Sequence, residues 1–192
     1  MQEDEQKADH EDFDLLADFN SGSEGAFTLI VEKHAGPLIN FLYRYTRDRG
    51  ASEDIAQEAF LRLYKAAPGL KPGAKLSTLL YKIAYNLAVD QARKNKSRSA
   101  RAPVSSLDAG AEYGREPSAP GSSPDALYEK AQRAAELNSS LAELPETQRL
   151  ALLLKIYDDR SYAEIAEIMG LSVASVESLL FRARQSLARK LK

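Results

Sequence analysis

Residues 161–192, SYAEIAEIMGLSVASVESLLFRARQSLARKLK, admit few folds, because they carry two sets of helix boundary signals. Ser161 and Glu164 have the spacing of a capping box, in which hydroxyl and carboxylate satisfy backbone amides that the first helical turn leaves unpaired. A helix therefore starts at Tyr162 and places Tyr162, Ile165, Ala166 and Met169 on one apolar stripe. Gly170 tolerates the left-handed conformation that closes a helix, and Ser172 is a good cap for the next one. The second helix turns Val173, Val176, Leu180, Ala183 and Leu187 inward and spreads Ser175, Glu177, Ser178, Phe181, Arg182 and Arg184 over its other faces. Two helices across so short a turn fit a helix-turn-helix, whose second helix enters the major groove of DNA, and fit a plain helical hairpin equally well. Arg182, Arg184, Arg189, Lys190 and Lys192 tip the balance toward a phosphate-bearing partner.

The 192 residues, 44% of them hydrophobic, suffice for one globular domain or two small ones. With no cysteine, disulfides and thiolate metal sites are excluded, and the two histidines, His10 and His34, argue against a histidine-rich metal centre. A formal charge of -2 averages an acidic head with basic patches elsewhere, so it does not exclude nucleic acid. The acidic N-terminus does not read as a secretory signal, and no apolar run approaches the ~20 residues that cross a bilayer; a cytoplasmic protein without membrane insertion is expected. Paired carboxylates, a nucleophile with its base, a phosphate-binding glycine loop and metal-ligand spacing are all missing from the pattern. The expectation is a chain that is not an enzyme, with no catalytic residues, cofactor, metal or small-molecule substrate.

Residues 1–12 are rich in Glu, Asp, Gln and Lys with almost nothing to bury, and are expected to be a disordered or frayed acidic tail. Phe13, Leu15, Leu16 and Phe19 begin a helix that residues 20–22 end; Ala26, Phe27, Ile30, Val31 and His34 form a second. Pro37 reads as a helix start, with Leu38, Phe41, Leu42 and Tyr45 as the stripe behind it. Ser52, followed by Glu53 and Asp54, marks another start. In the helix DIAQEAFLRLYKA, Ile55, Ala56, Ala59, Phe60, Leu63 and Tyr64 face inward, leaving Asp54, Gln57, Glu58, Leu61 and Arg62 outside. After a break at Pro68, Gly69, Pro72 and Gly73, a long helix buries Leu76, Leu79, Leu80, Ile83, Ala84 and Leu87. Tyr81 and Tyr85 share a face of it, with Lys82, Asn86, Arg93 and Lys94 on the polar side. Either these rings stack on unpaired bases, worth ~1 to 3 kcal/mol each, or they lie half-buried against neighbouring helices. Arg93, Lys94, Lys96, Arg98 and Arg101 meet no acid and suit a phosphate backbone.

Three prolines at 103, 117 and 120, among Gly and Ser, with a fourth at its end, Pro124, make residues 99–123 a flexible linker between a helical module at 13–98 and another at 124–192. In the second, Leu127, Ala131, Ala134 and Leu137 mark a helix, and ETQRLALLLKIY packs under the helix-turn-helix through Leu150, Leu153, Leu154 and Tyr157. The expected fold class is all-α, with two small helical domains, the C-terminal one holding the helix-turn-helix.

In this order, from about Phe13 to Leu191, the chain resembles the extracytoplasmic-function sigma factors, the minimal two-domain type of bacterial transcription initiation factor. DIAQEAFLRLYKA resembles the helix that docks on the clamp-helix coiled coil of the RNA polymerase largest subunit, which implies core-polymerase contacts at Asp54, Gln57, Glu58 and Leu61. LSTLLYKIAYNLAVDQARK resembles the promoter-melting segment, and implies minus-ten DNA contacts at Tyr81, Lys82, Tyr85, Asn86, Arg93 and Lys94. LPETQRLALLLKIYDDRSYAEIAEIMGLSVASVESLLFRARQSL resembles the domain that reads the upstream element on the polymerase flap. It implies minus-thirty-five contacts at Ser172, Ser175, Glu177, Ser178, Phe181, Arg182 and Arg184. The partners implied are core RNA polymerase, promoter DNA and an anti-sigma protein. Three positions, in two segments, depart from the family. Leu79 stands where it usually has tryptophan, which removes one aromatic from strand opening. Glu177 and Leu179 stand where basic residues are usual, which means either altered specificity or weakened binding.

Overall fold

The computed structural model describes residues 2–70, 75–99 and 139–190, together with Gln132 and Leu137; no strand occurs among them. Four helices form the N-terminal module: α1 (Gln2–Asn20), α2 (Glu24–Thr46), α3 (Arg49–Ala66), which runs into a 3-10 turn at Ala67–Gly69, and α4 (Leu76–Ser99). Three more close the C-terminal module: α5 (Glu146–Ile156), α6 (Tyr162–Met169) and α7 (Val173–Lys190). Apart from Ser99 the expected linker, like the helix start expected at Pro124, lies outside the described residues.

Three N-terminal boundaries differ from the sequence expectation, each for a physical reason. The acidic tail is helical from Gln2. Its Glu, Gln, Lys and Ala are good helix formers, and its Asp12 is buried against α2, with Lys33 Nζ at 2.7 Å and His34 Nε2 at 2.8 Å from its two oxygens. Pro37 does not start a helix but lies inside α2. The stripe Ile30, Leu38, Phe41, Leu42 and Tyr45 stays fully inside across it, so tertiary burial outweighs the lost backbone donor. The third helix starts at Arg49, capped by Asp48, whose carboxylate accepts from the Ala51 backbone amide at 3.0 Å. Ser52 is instead buried, and its hydroxyl donates to the Asp48 carbonyl at 2.6 Å.

α1 and α3 pack on α2, and α4 lies against α3. Tyr64 is not inward as expected: it stays exposed at the rim, where its ring meets Phe19 and Phe27 at centroid distances of 4.8 and 5.1 Å. In the C-terminal module, α5 supports both α6 and α7 through Leu150 to Leu154, all buried. α6 has the anticipated capping box: the Glu164 amide donates to Ser161 Oγ at 3.2 Å and the Ser161 amide to Glu164 Oε2 at 2.9 Å. Gly170 closes it at φ 66, in the left-handed region. Ser172 then caps α7 by accepting from the Ser175 amide at 3.2 Å. Val176, Leu180 and Ala183 are buried as expected, whereas Val173 is 43% exposed at the mouth of the turn.

The two modules are not held apart. α4 packs on α6 and α2 on α5, so the buried apolar residues of both modules join in one cluster.

Candidate nucleic-acid interface

α7 is an amphipathic rod about 27 Å long, anchored by three buried side chains on one face. Ser172, Ser175, Glu177, Ser178, Phe181, Arg182 and Arg184 are all exposed on its remaining surface. Glu177, Ser178, Phe181, Arg182 and Gln185 line one shallow groove, and Phe181 is 67% exposed, which is unusual for a ring with no packing duty. Gln185 is a groove residue the sequence reading passed over, although its place one turn beyond Phe181 was readable from the spacing. Leu179 leans into the core instead, so packing explains the apolar residue there. Of the basic tail, Lys190 is engaged by Glu143; Lys192 lies outside the described residues.

A second surface lies on the opposite module. Asp54, Gln57, Glu58 and Leu61 line a common shallow groove on α3, with Leu61 45% exposed and Glu58 bridged to Arg62 at 2.8 Å. The adjoining groove between α3 and α4 adds Leu87, Asp90, Gln91, Lys94 and Asn95. Lys94 thus sits with the α3 acids and not with Tyr81, from which it is about 20 Å distant along α4. Arg93 and Asn86 are exposed, while Lys82 and Tyr85 are half-buried.

Tyr81 takes the buried one of its two expected places. It is 2% exposed, its ring 5.2 Å from Phe41 and its hydroxyl donating to Asp158 Oδ1 at 2.8 Å. The Arg160 guanidinium lies over the ring at 4.5 Å and donates to Ser77 Oγ at 3.0 Å. Lys75 meets Glu164 at 3.4 Å. Further along, Tyr45 donates to Glu146, Arg149 lies 5.0 Å over the Tyr45 ring, and Arg44 lies 4.1 Å over Tyr157. Burial, and then the Asp158 charge, push the Tyr81 phenol well above its usual range. Burial also raises the Asp158 carboxyl, outweighing the Tyr81 hydrogen bond and the charges of Arg160 and Arg44. Glu164 goes the other way, because the Ser161 hydroxyl and amide, with Lys75 and Arg160, outweigh its desolvation. With its ring covered in this way, Tyr81 is closed to a base while the modules are docked. Asp158, Arg160, Ser77 and Lys75 were invisible to the sequence reading, since only the docking of α6 on α4 brings them together. Among the described residues, no group of three or more carboxylates and histidines could hold a metal ion, and no helix is long and apolar enough to cross a membrane.

A helix-turn-helix with a free outer face on its second helix, behind a four-helix module whose third helix carries an acid-lined groove, is the architecture of a sigma-70-type factor. Residues 30–98 match Sigma-70 region 2, and residues 134–187 match Sigma-70, region 4. The chain is 31% identical over 177 residues to the ECF RNA polymerase sigma factor SigW of Bacillus subtilis, covering 89% of this chain and 91% of that one. It is 29% identical over 181 residues to the RNA polymerase sigma-H factor of Pseudomonas aeruginosa, covering 94% of each. Among solved structures it superposes with a TM-score of 0.68 on CnrH in complex with the cytosolic domain of CnrY, at 23% identity over 94% of this chain and 97% of that one. The same TM-score relates it to the sigma factor RpoE in complex with the anti-sigma factor NepR from Bartonella quintana, at 21% identity over 86% and 96%. The chain belongs to the ECF RNA polymerase sigma factors and is a sigma factor.

Proposed function

We propose how the residues divide that work. The α3 groove of Asp54, Gln57, Glu58 and Leu61 docks on core RNA polymerase, with Asp90 and Gln91 of α4 at its margin. The exposed face of α7, from Ser172 to Arg184, reads the minus-thirty-five element. Tyr81, Tyr85, Lys82 and Asn86 receive bases of the minus-ten element, and Arg93 follows the backbone. The protein works in the cytoplasm, and an anti-sigma protein holds it there, a reading supported by the fold shared with RpoE captured by NepR. It performs no bond chemistry of its own.

The observation that carries this reading is that the two grooves lie on separate helices, one in each module, and are both exposed. A chain reading both promoter elements must also undo the contacts over Tyr81. Duplex opening costs about 1–2 kcal/mol per stacked step, and captured bases at ~1 to 3 kcal/mol each are of the size needed to offset it. Run-off transcription with core enzyme on genomic fragments tests the division of labour. Discrete promoter-dependent transcripts are expected with the native chain, and Leu61→Ala is expected to reduce core affinity about tenfold while leaving duplex binding by α7 intact. Unchanged core affinity for Leu61→Ala and Asp54→Ala together would remove the α3 groove from the interface.

A further inference from the structure

We propose that Glu177 accepts a hydrogen bond from the exocyclic amino group of a cytosine in the upstream promoter element, and so fixes sequence preference at that base pair. This deepens the assignment of α7 as the reader and rests on it. Glu177 is the first charged residue of α7, in its second turn, where a helix-turn-helix reader approaches base edges. It is exposed, and among the described residues its carboxylate has neither an ion pair nor a hydrogen bond. Its small polar neighbours are already engaged: Ser178 Oγ donates to the Ala174 carbonyl at 3.0 Å, and Ser175 Oγ lies 2.8 Å from Ser172 Oγ in the cap. In the groove it shares with Arg182, Phe181 and Gln185, Glu177 is the one pure acceptor.

Charge decides what such a group can face. Phosphates repel it, so an acid on a reading helix weakens binding unless it meets a donor. Major-groove donors are the amino groups of cytosine and adenine; carboxylates suit cytosine N4, whereas adenine is better met by the paired donor and acceptor of Asn or Gln. A solvated acid that merely favours the positive end of the α7 dipole would leave base preference untouched.

Holoenzyme assembled from core polymerase and the full chain, with native, Glu177→Gln or Glu177→Ala sequence, is presented with duplexes randomised across the upstream element. The native form is expected to select cytosine at one position. Glu177→Ala is expected to lose about five- to 150-fold of discrimination there and nowhere else, and Glu177→Gln to move that position toward adenine. The same base preferences in all three forms overturn the proposal, even if removing the charge raises affinity. A native holoenzyme that initiates without selecting any upstream base overturns the reader assignment itself, an outcome visible before the variants are compared.

Discussion

Asp12 enters the interior with both carboxylate oxygens engaged, by Lys33 and by His34, and its side chain is 2% exposed. Burial alone would raise its pKa, but the hydrogen bonds and charges of those two partners outweigh it and hold the group below the ordinary value of 3.8. A carboxyl whose folded pKa is depressed stabilises the fold fully above its unfolded value and loses that contribution as pH falls through the lower folded one. Native protein should therefore lose thermal stability below about pH 4 more steeply than Asp12→Asn, which has no charge to lose. Melting curves of the two forms across that range check this, and parallel slopes would contradict it. Hydrophobic periodicity could not find Asp12, because the pattern reports apolar burial and this is burial of a charge through its partners. Tyr81 is a different case, because the sequence left open whether its ring stacks on bases or lies against neighbouring helices, and it is buried. Its spacing put it on a tyrosine face, but its burial is imposed by Asp158 and Arg160 from the other module.

At the scale of the helix, boundary chemistry was readable wherever local signals agreed. Ser161, Glu164, Gly170 and Ser172 specify α6 and the start of α7 without help from distant residues. Ser161→Ala removes the cap acceptor and should cost about 1 kcal/mol, seen as a melting point lower by roughly 2–4 °C. No shift in a scanning calorimeter would mean that the tertiary contacts of α6, and not the cap, set its stability. Pro37 and Ser52 show the limit of such signals. Each is a fair helix starter, yet one was overridden by a continuous buried stripe and the other by the earlier cap at Asp48.

Over the whole molecule, the docking of the modules combines a shared apolar cluster with a set of polar links. The polar links include two tyrosine–carboxylate hydrogen bonds, three guanidinium–ring contacts, the Arg160–Ser77 hydrogen bond and the Lys75–Glu164 pair. Thr78 Oγ1, Gln148 Oε1, Arg149 Nε, Asp158 Oδ2 and Arg160 Nε are buried there or nearby without a protein partner. Interfaces between modules of one chain resemble transient protein contacts, and the polar links are the part of this one that water can replace when the modules separate. Arg160→Ala removes the cover over Tyr81 and should weaken docking by about 1–3 kcal/mol. Solution scattering should then give a larger radius of gyration, and amide exchange should rise in the α4 segment around Tyr81 but not within α5. Unchanged scattering and exchange would mean that the apolar contacts between α4 and α6 suffice.

The sequence by itself determined that residues 13–98 and 146–190 are mainly helical, how α6 is capped, and which face of α7 stays free. Those properties follow from short-range spacing, capping and charge. Only the tertiary structure decided that the modules dock, that Tyr81 lies beneath Arg160, and that Asp12 is interior. Each of these depends on groups tens of residues apart whose pairing offsets desolvation, and spacing along one helix carries no record of such pairs.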